Sequence, residues 1–358
     1  MAEEQSRVID LGYIEDCASW KLESRFFPSK AGGTPAWLDP FNLPDVILCD
    51  KCNKPCIFLC QVYAPIEELV SCFHRTIFVF LCKDTQCCEY NNSANFKVFR
   101  CQLPRKNNFY SFDPPIEEED WKPNVTPELC RLCCVCGARG GSRCSKCKTA
   151  SYCSKEHQII DWKAGHKQRC SAGVVLEENE ARKEMGFLLP QFEIVTESED
   201  CVLVDETETN SDLKTEEERL REFQKMVQQG KAGTLQGDDS VDDELQKITS
   251  SEDKQFLKFS ERIKKSPEQI LRYERSGEPL WISSNNIPKE GDIPCCEYCG
   301  GQRQFEFQIL PQMLNYLDLD NTEKSVDWGI LAVYTCSKSC DGIPAYKQEF
   351  LWKQDVSS

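Results

Sequence analysis

Residues 133–170 carry the most restrictive pattern in this chain, a regular spacing of cysteine and histidine. The side chains follow one another as four pairs: Cys133 and Cys136, Cys144 and Cys147, Cys153 and His157, His166 and Cys170. Structural Zn²⁺ is held by four such ligands in a tetrahedron, and eight ligands are therefore enough for two ions. A segment this short cannot build an apolar core of its own, so bound metal must supply its stability. The spacing predicts a finger that binds two zinc ions.

The whole chain contains 24 cysteines among 358 residues, far more than an ordinary domain needs. Its first residues, MAEEQSRVIDLGY, are polar and acidic, and no apolar run approaches the roughly 18 residues of a membrane span. We therefore expect neither a secretory signal nor a transmembrane segment. Because disulfides are rare in reducing compartments, the cysteines indicate metal-bound thiolates in a protein of the cytoplasm and nucleus.

One phrase occurs twice in the sequence. PAWLDPFNLP at 35–44 and PLWISSNNIP at 279–288 place Pro, Trp and a closing Pro at the same offsets. Each phrase is followed by a Cys-x2-Cys pair, then by Gln with a β-branched residue, and then by an apolar strand that ends in cysteine. The two series are Cys49, Cys52, Gln61 and Cys82, and Cys296, Cys299, Gln308 and Cys336. Such an internal repeat indicates a duplicated unit, here residues 8–112 and 268–356.

Both copies have the composition of β-sheet. Runs such as RTIFVFLC and ILAVYTC are rich in β-branched and aromatic residues and are bounded by turn residues. We predict an α+β fold that is mostly antiparallel β, a duplicated zinc-stabilised unit with an inserted finger and an acidic disordered linker. The predicted domains are 1–125 (N-terminal unit), 130–172 (finger), 173–251 (acidic, mostly disordered linker) and 252–358 (C-terminal unit).

Four cysteines of each unit have the spacing of a zinc ribbon, in which two turns bring two pairs of thiolates together. The predicted ligands are Cys49, Cys52, Cys82 and Cys87 in the N-terminal unit, and Cys296, Cys299, Cys336 and Cys340 in the C-terminal unit. Cys88 is an alternative to Cys87, and Cys295 is an alternative to Cys296. A closed site of four thiolates leaves no position for water, so we predict one structural zinc ion in each unit.

The competing interpretation of these cysteines is a set of free core thiols, because cysteine is among the most buried residues. We assign that role to the cysteines in or beside apolar runs, Cys56, Cys60, Cys72 and Cys101. Two further elements are predicted after the finger. The apolar stretch MGFLLPQFEIV (185–195) indicates a strand that packs on one of the units. Phe256, Phe259 and Ile263 have helical spacing and predict a packing helix.

Charge is distributed unevenly along the chain, whose formal net charge is −16. Acidic residues dominate 197–255, a composition typical of disorder, whereas basic residues dominate 130–170. Phosphate binding needs a cationic surface, so an acidic protein is a poor nucleic-acid binder and we do not expect direct nucleic-acid binding. Long-range attraction suits a basic protein partner instead.

Motifs for catalysis are missing from the sequence. It contains no Gly-rich phosphate loop, no G-x-S-x-G elbow and no His-Glu-x-x-His. His74, the one histidine outside the finger, lies beside a strand and is assigned a structural hydrogen bond. We therefore expect a protein that is not an enzyme.

The segment YCSKEHQIIDWKAGHKQRC resembles the second half of a MYND finger. The resemblance implies that the ligand pairs interleave. One ion would be held by Cys133, Cys136, Cys153 and His157, and the other by Cys144, Cys147, His166 and Cys170. MYND fingers receive short proline-containing peptides, which implies a second possible function for the chain. It would be a nuclear adaptor that recruits proline-motif proteins such as transcriptional corepressors.

Many further segments, among them FHRTIFVF, FRCQLPRKNNFY, PEQILRY and DWGILAVYTC, resemble the programmed cell death protein 2 family over essentially the whole chain. The resemblance implies a chaperone that binds one newly made, basic small-subunit ribosomal protein and supports small ribosomal subunit biogenesis. The family's roles in cell proliferation and apoptosis would then be consequences of ribosome supply. Aromatic residues that could grip such a client, but that we assign to the core, are Trp37, Phe109, Tyr110 and Trp281.

Overall fold

The computed structural model describes most of the chain. The described residues are 8–121, 131–173, 186–199, 251–317, 319 and 326–356. Of the predicted linker 173–251, residues 174–185 and 200–250 lie outside these ranges, whereas Phe192–Ser198 form a strand.

Ten strands form one closed antiparallel barrel. In chain order they are β1 (Asp10–Glu15), β2 (Lys30–Ala31), β3 (Ile57–Tyr63), β4 (His74–Leu81), β5 (Phe96–Leu103), β8 (Phe192–Ser198), β9 (Leu271–Tyr273), β10 (Arg303–Ile309), β11 (Ile330–Cys336) and β12 (Tyr346–Gln354). Around the barrel the order is β1-β8-β2-β3-β4-β5-β12-β11-β10-β9, and β9 pairs with β1 to close it. The prediction of a mostly antiparallel β fold is confirmed.

Helices are few and short. They are α1 (Lys155–Asp161), α2 (Lys167–Ala172), α3 (Ser251–Lys264) and α4 (Met313–Tyr316), with a π-helical turn at Trp162–His166 and 3-10 turns at Ser19–Leu22, Ser24–Phe26, Val70–Cys72 and Thr85–Cys87. The finger adds a two-stranded sheet of β6 (Ser142–Arg143) and β7 (Ser151–Tyr152). Among the described residues, no helix has the length and apolarity to cross a membrane.

The two β-rich units share a single sheet. Strand β5 of the N-terminal unit pairs with β12 of the C-terminal unit, and Cys101 lies opposite Tyr346 in that register. On the other side β1 pairs with β9, where Gly12 lies opposite Leu271. The two units therefore share one closed sheet, in which each unit supplies edge strands that pair with those of the other. Closing the barrel in this way removes the exposed edges on which strands aggregate.

Residues at matching positions of the repeated phrase make matching contacts. Gln61 Oε1 accepts a hydrogen bond from Ala36 N at 2.9 Å, and Gln308 Oε1 accepts one from Leu280 N at 2.6 Å. In both cases the donor is the residue before the tryptophan of the phrase. Strands β3 and β10 each carry a bulge at the same distance beyond their Cys-x2-Cys pair. These contacts fit the predicted repeat, while descent from one duplication stays a prediction.

The barrel interior is apolar at one end. Successive side chains of a strand point to opposite faces, and this alternation separates two layers. Ile77 and Val79 of β4 meet Leu331 and Val333 of β11 in one buried cluster, whereas Phe78 lies in a second cluster outside. Trp37 and Trp281, the tryptophans of the two phrases, are buried against the outer face of the barrel. Their assignment to the core is therefore confirmed.

Ion pairs occupy the other end of the interior. Arg75 of β4 donates from Nη2 to Glu306 Oε2 of β10 at 2.7 Å, and both side chains are fully buried. Tyr273 and Thr335 donate to the same carboxylate. Burial alone would raise the pKa of Glu306, but Arg75 holds it below its ordinary value. The pair therefore stays charged inside the barrel and ties the two units together.

The elements predicted after the finger are present. Strand β8 pairs with both β1 and β2, which confirms a strand in the stretch MGFLLPQFEIV. Helix α3 confirms the predicted packing helix, with Phe259 and Ile263 buried against Trp281. Phe256, assigned to the same face, is 51% exposed, so the packed face covers only the later turns of the helix.

Candidate zinc centres

The structure brings the sixteen predicted ligand residues together in four groups. The N-terminal group is Cys49, Cys52, Cys82 and Cys87; the C-terminal group is Cys296, Cys299, Cys336 and Cys340; the first finger group is Cys133, Cys136, Cys153 and His157; and the second finger group is Cys144, Cys147, His166 and Cys170. Within each group the ligand atoms all lie within 4.8 Å of one another. The interleaving of the finger pairs is the one implied by the MYND resemblance.

Distances inside the groups suit a tetrahedral metal. The Sγ atoms of Cys299 and Cys336 are 3.5 Å apart, and those of Cys296 and Cys340 are 3.7 Å apart. A tetrahedron with Zn–S bonds of 2.3 Å places its sulfurs about 3.8 Å apart, whereas a disulfide bond is about 2.05 Å long. The described cysteines are all free. The groups are therefore candidate zinc sites and not disulfides.

Tight turns shape the first ligand pair of each barrel group. In the N-terminal group Asn53 takes a positive φ of 55° and donates its N–H to the Cys49 carbonyl at 3.0 Å. In the C-terminal group Gly300 takes a φ of 67° and donates to the Cys296 carbonyl at 2.8 Å. Asn and Gly are the residues that tolerate this conformation. One backbone N–H in each turn also points at a ligand sulfur: Lys51 N lies 3.4 Å from Cys49 Sγ, and Gly301 N lies 3.4 Å from Cys299 Sγ.

In both barrel groups the structure distinguishes between the two cysteines that the sequence left as alternative ligands. Cys87, and not Cys88, belongs to the N-terminal group, because Cys88 Sγ points to the Asp327 carbonyl at 3.4 Å. Cys296, and not the exposed Cys295, belongs to the C-terminal group. The four cysteines that we assigned to the core, Cys56, Cys60, Cys72 and Cys101, are buried outside the groups.

In the finger, helix α1 orients the first histidine. Ser154 is its N-cap, and the Ser154 hydroxyl accepts the His157 N–H at 3.1 Å. His157 Nδ1 then lies 3.1 Å from Cys153 Sγ. The second finger group uses the other ring nitrogen, because His166 Nε2 lies 3.7 Å from Cys147 Sγ.

A buried carboxylate supports the second finger group. Asp161 accepts hydrogen bonds from Tyr152 Oη at 2.6 Å and from Arg169 Nη2 at 3.0 Å. His166 Nδ1, on the side of the ring away from the cysteines, lies 3.8 Å from Asp161 Oδ2. Metal-binding histidines are commonly oriented by such a carboxylate. The sequence does not single out Asp161, and its position one helical turn before His166 is the only available signal.

One thiol in each finger group is shifted towards thiolate, the form that binds metal, whereas hydrogen bonds to Cys133 raise the pKa of Cys136 and Cys153. Hydrogen bonds from Cys136 and then Cys153 lower the pKa of the Cys133 thiol well below its ordinary value. Burial raises the pKa of Cys147, but the N–H of Ala150 and the Thr149 hydroxyl outweigh it and bring that pKa to about 6. Each finger group therefore contains a cysteine that ionises readily.

The finger is seated against the outside of the barrel. Trp37 Nε1 donates to the Gly137 carbonyl at 2.7 Å, and both residues lie at a buried contact. A Cβ at Gly137 would lie 2.7 Å from Thr34, so glycine permits this close approach. Phe187 packs edge-on against His157 at 5.1 Å and also contacts the barrel core.

The outward surface of the finger is basic with an apolar spot. The basic side chains, all exposed, are Arg139, Arg143, Lys146, Lys148, Lys155, Lys163 and Lys167. Ile159 and Trp162, on consecutive turns, are 44% and 36% exposed. His74 lies elsewhere, inside the barrel wall, where Nδ1 is 3.1 Å from the Tyr63 hydroxyl.

The fold and its cysteine groups define a MYND-finger protein built on a closed β-barrel. A MYND finger model matches residues 133–170, and models described as programmed cell death protein 2, N-terminal domain and C-terminal putative domain match 8–117 and 253–355. Programmed cell death protein 2 of Bos taurus is 42% identical, covering 100% of this chain and 99% of that protein. The chain belongs to the programmed cell death protein 2 family.

Two further relatives extend the comparison. The Rattus norvegicus protein of the same name is 44% identical over 98% of this chain and 97% of its own length. A Schizosaccharomyces pombe protein named probable 20S rRNA accumulation protein 4 is 26% identical over 87% of each chain. No solved structure matches this chain.

Proposed function

We propose that this chain is a chaperone that binds a newly made, basic ribosomal protein and supports small ribosomal subunit biogenesis. The observation that carries the proposal is a whole-chain family relationship that includes a fission yeast protein named for 20S rRNA accumulation. That name connects the relative to ribosome biogenesis. The escort would work in the cytoplasm and the nucleus, because ribosomal proteins are made in one and assembled in the other.

Charge supports a basic client. The formal net charge of −16 gives the chain a long-range attraction for a basic protein and speeds their encounter. A newly made ribosomal protein without its RNA carries unneutralised positive charge, and an acidic binder screens it. The basic surface of the finger is the exception, and the client would bind elsewhere.

We assign the metal groups a structural role. Each group supplies a complete set of four side chains, and a closed four-ligand site leaves no position for a reacting water. The proposal therefore contains four zinc ions, two in the finger and one in each β unit, and no catalytic step. Zinc would hold the turns that carry the ligand pairs. The client would be recognised by the protein surface outside the four metal groups.

A tagged pull-down of the full chain from translating cells, read by mass spectrometry, tests the chaperone proposal. We expect one small-subunit ribosomal protein near stoichiometric amounts. The informative variant is Ile159→Asp with Trp162→Ala, since deleting the finger would also uncover Trp37. Retention of the ribosomal protein by this variant supports the chaperone. Absence of any ribosomal protein near stoichiometric amounts from the wild-type sample would contradict it.

A second function is favoured by the exposed pair of Ile159 and Trp162. MYND fingers are protein-interaction modules, and exposed apolar side chains on a charged surface are typical of peptide contact sites. The alternative is an adaptor that recruits proline-motif nuclear proteins through this spot. The same pull-down separates the two functions, because adaptor partners should disappear in the Ile159→Asp, Trp162→Ala variant.

A further inference from the structure

A cleft of about 660 Å³ lies where the finger meets the barrel. Four segments line it: 17–24 after β1, 33–40 after β2, Leu132 at the start of the finger, and 186–191 before β8. Ligand-binding clefts in proteins have volumes of about 300–1,000 Å³, so this one has the size of a binding site. It is separate from the four cysteine groups and from the exposed pair Ile159 and Trp162.

Hydrogen bonds between its walls fix the shape of the cleft. Gly33 N donates to the Leu189 carbonyl at 3.0 Å. Lys30 Nζ, which is buried, donates to the Thr34 carbonyl and to Gln191 Oε1, both at 2.9 Å. Because these bonds join the two opposite segments, the cleft is formed before any partner arrives. A preformed site loses less entropy on binding.

Apolar side chains and prolines make up about half of the lining residues. Leu22, Trp37, Leu132, Leu188 and Pro190 face the space. The ionisable side chains in the lining belong to Cys17, Glu23 and Lys30, and they do not form a group suited to proton transfer or nucleophilic attack. The lining is suited to holding an apolar side chain and not to chemistry.

One side of the cleft is formed by two acidic segments of the chain, which Arg25 holds together. Arg25 donates to Glu23 Oε2 at 2.8 Å and to the carbonyls of Ile116 and Glu118 at 2.7 and 2.8 Å. This places the chain after Ile116 next to the cleft wall. We call the exposed carboxylates of these segments the acidic rim: Glu15, Asp16, Glu23, Glu117, Glu118, Glu119 and Asp120.

We propose that the cleft binds an extended basic segment of a protein client, with an apolar side chain in the cleft and flanking Lys or Arg residues on the acidic rim. The apolar lining supplies the anchor, and the rim supplies charge complementarity, which selects for sequence and speeds association. The identification of that client as a ribosomal protein rests on the proposed function. The cleft and the rim are features of this chain whichever basic protein supplies the segment.

The test uses the purified full chain and an array of overlapping peptides from all small-subunit ribosomal proteins, together with scrambled peptides of the same composition. Ser19→Trp places a large ring at an exposed position of the lining and should weaken binding about tenfold or more. Ser142→Trp, an exposed position on the finger sheet, is its control. Metal content and thermal unfolding verify that both variants are folded.

The rim is tested by charge removal. The rim variant carries Glu117→Gln, Glu118→Gln and Glu119→Gln, and its control carries the same change at the exposed residues Glu68, Glu268 and Glu290. We expect binding to weaken roughly three- to tenfold in the rim variant and to become less sensitive to salt, with little change in the control. Bound peptides should combine Lys or Arg with an apolar residue.

Several outcomes overturn the inference. They are no bound peptide, equal binding by Ser19→Trp and wild type, preference for acidic or neutral peptides, or a dimer of this chain that Ser19→Trp dissociates. Basic peptides that are lost in Ser19→Trp, combined with a pull-down that contains no ribosomal protein, would support the cleft and overturn only the proposed function.

Discussion

The barrel and the finger are stabilised in different ways. The barrel buries strand residues in three apolar clusters, and charged pairs such as Arg75 and Glu306 join its two units. The buried cluster of the finger is small: three of its seven members are metal-ligand candidates, and the others are Val135, Ala138, Ala150 and Tyr152. We therefore expect the finger to depend on bound metal for its shape, and the barrel to depend on packing and to use its cysteine groups to fix turns.

Zinc removal should separate the two regions most sharply. Cys136→Ser removes one ligand of the first finger group, and a structural zinc site is worth about 10–16 kcal/mol in isolated fingers. We expect hydrogen exchange to become fast throughout 133–170, while the amides of β3–β5 stay protected. Metal analysis should show the lost zinc. Cys134→Ser, next to the group but outside it, is the control. Equal loosening of barrel and finger would contradict the comparison.

The barrel should be most sensitive at its buried charges. Glu306→Ala leaves Arg75 buried without its carboxylate, and breaking a buried pair costs about 3–5 kcal/mol of unfolding free energy. The double variant Arg75→Met, Glu306→Met should lose less, since no charge is left unpaired. Thermal and denaturant unfolding measure both variants. A double variant that is less stable than Glu306→Ala would show that the ion pair itself, and not its desolvation, stabilises the barrel.

A smaller effect is expected at the carboxylate behind the second finger group. Asp161→Asn keeps the shape but removes the negative charge near His166 Nδ1. Loss of such a supporting group lowers metal affinity about 10- to 100-fold. Competition with a chromophoric chelator measures the affinity, and Asp113→Asn at an exposed site of the N-terminal unit is the matched control. Unchanged affinity would mean that Asp161 serves Tyr152 and Arg169 and not the histidine.

Much of this architecture could be predicted because ligand chemistry is local. Cys-x2-Cys pairs and the four pairs of the finger need particular residue types at particular spacings, and the structure gathers all sixteen residues. The β-branched and aromatic residues of strands such as β4 and β11 indicate β-structure from the sequence alone. The cysteine that completes the N-terminal group could not be chosen from the sequence, because Cys87 and Cys88 are neighbours and only the direction of the backbone separates them.

The barrel itself could not be predicted, because its closure depends on pairs far apart in the chain. Tyr346 lies opposite Cys101, and Gly12 lies opposite Leu271, with no local pattern to specify either register. Nothing local in the sequence therefore indicated that the two units share one sheet. The cleft could not be predicted either, because its walls come from four segments that are far apart in the chain. Asp161 was missed because one acidic residue in a helix has no signature of its own.

Acidification should weaken the barrel through His74. Burial, followed by the charge of Arg105, lowers the pKa of His74 to about 4. The folded state prefers the neutral ring. The stability that this preference gives the folded state is fully present above pH 6.5, and it is lost as the pH falls from 6.5 towards 4. We expect a loss of about 1–2 kcal/mol, allowing for partial screening by solvent. Unfolding measured across this range should show a smaller pH dependence in His74→Phe than in wild type, and an identical dependence would contradict the assignment.

The link between the two regions gives the smallest effect. Trp37→Phe removes the hydrogen bond to the Gly137 carbonyl, worth about 0.5–1.5 kcal/mol, but keeps an aromatic ring against Phe78. If the finger is an independent zinc-held body, hydrogen exchange should rise at its contact with the barrel while its metal content stays the same. Trp281→Phe, the counterpart packed under α3, should leave the finger unchanged. Zinc loss in Trp37→Phe would instead show that the barrel supports the metal groups of the finger, and that the two regions are one cooperative unit.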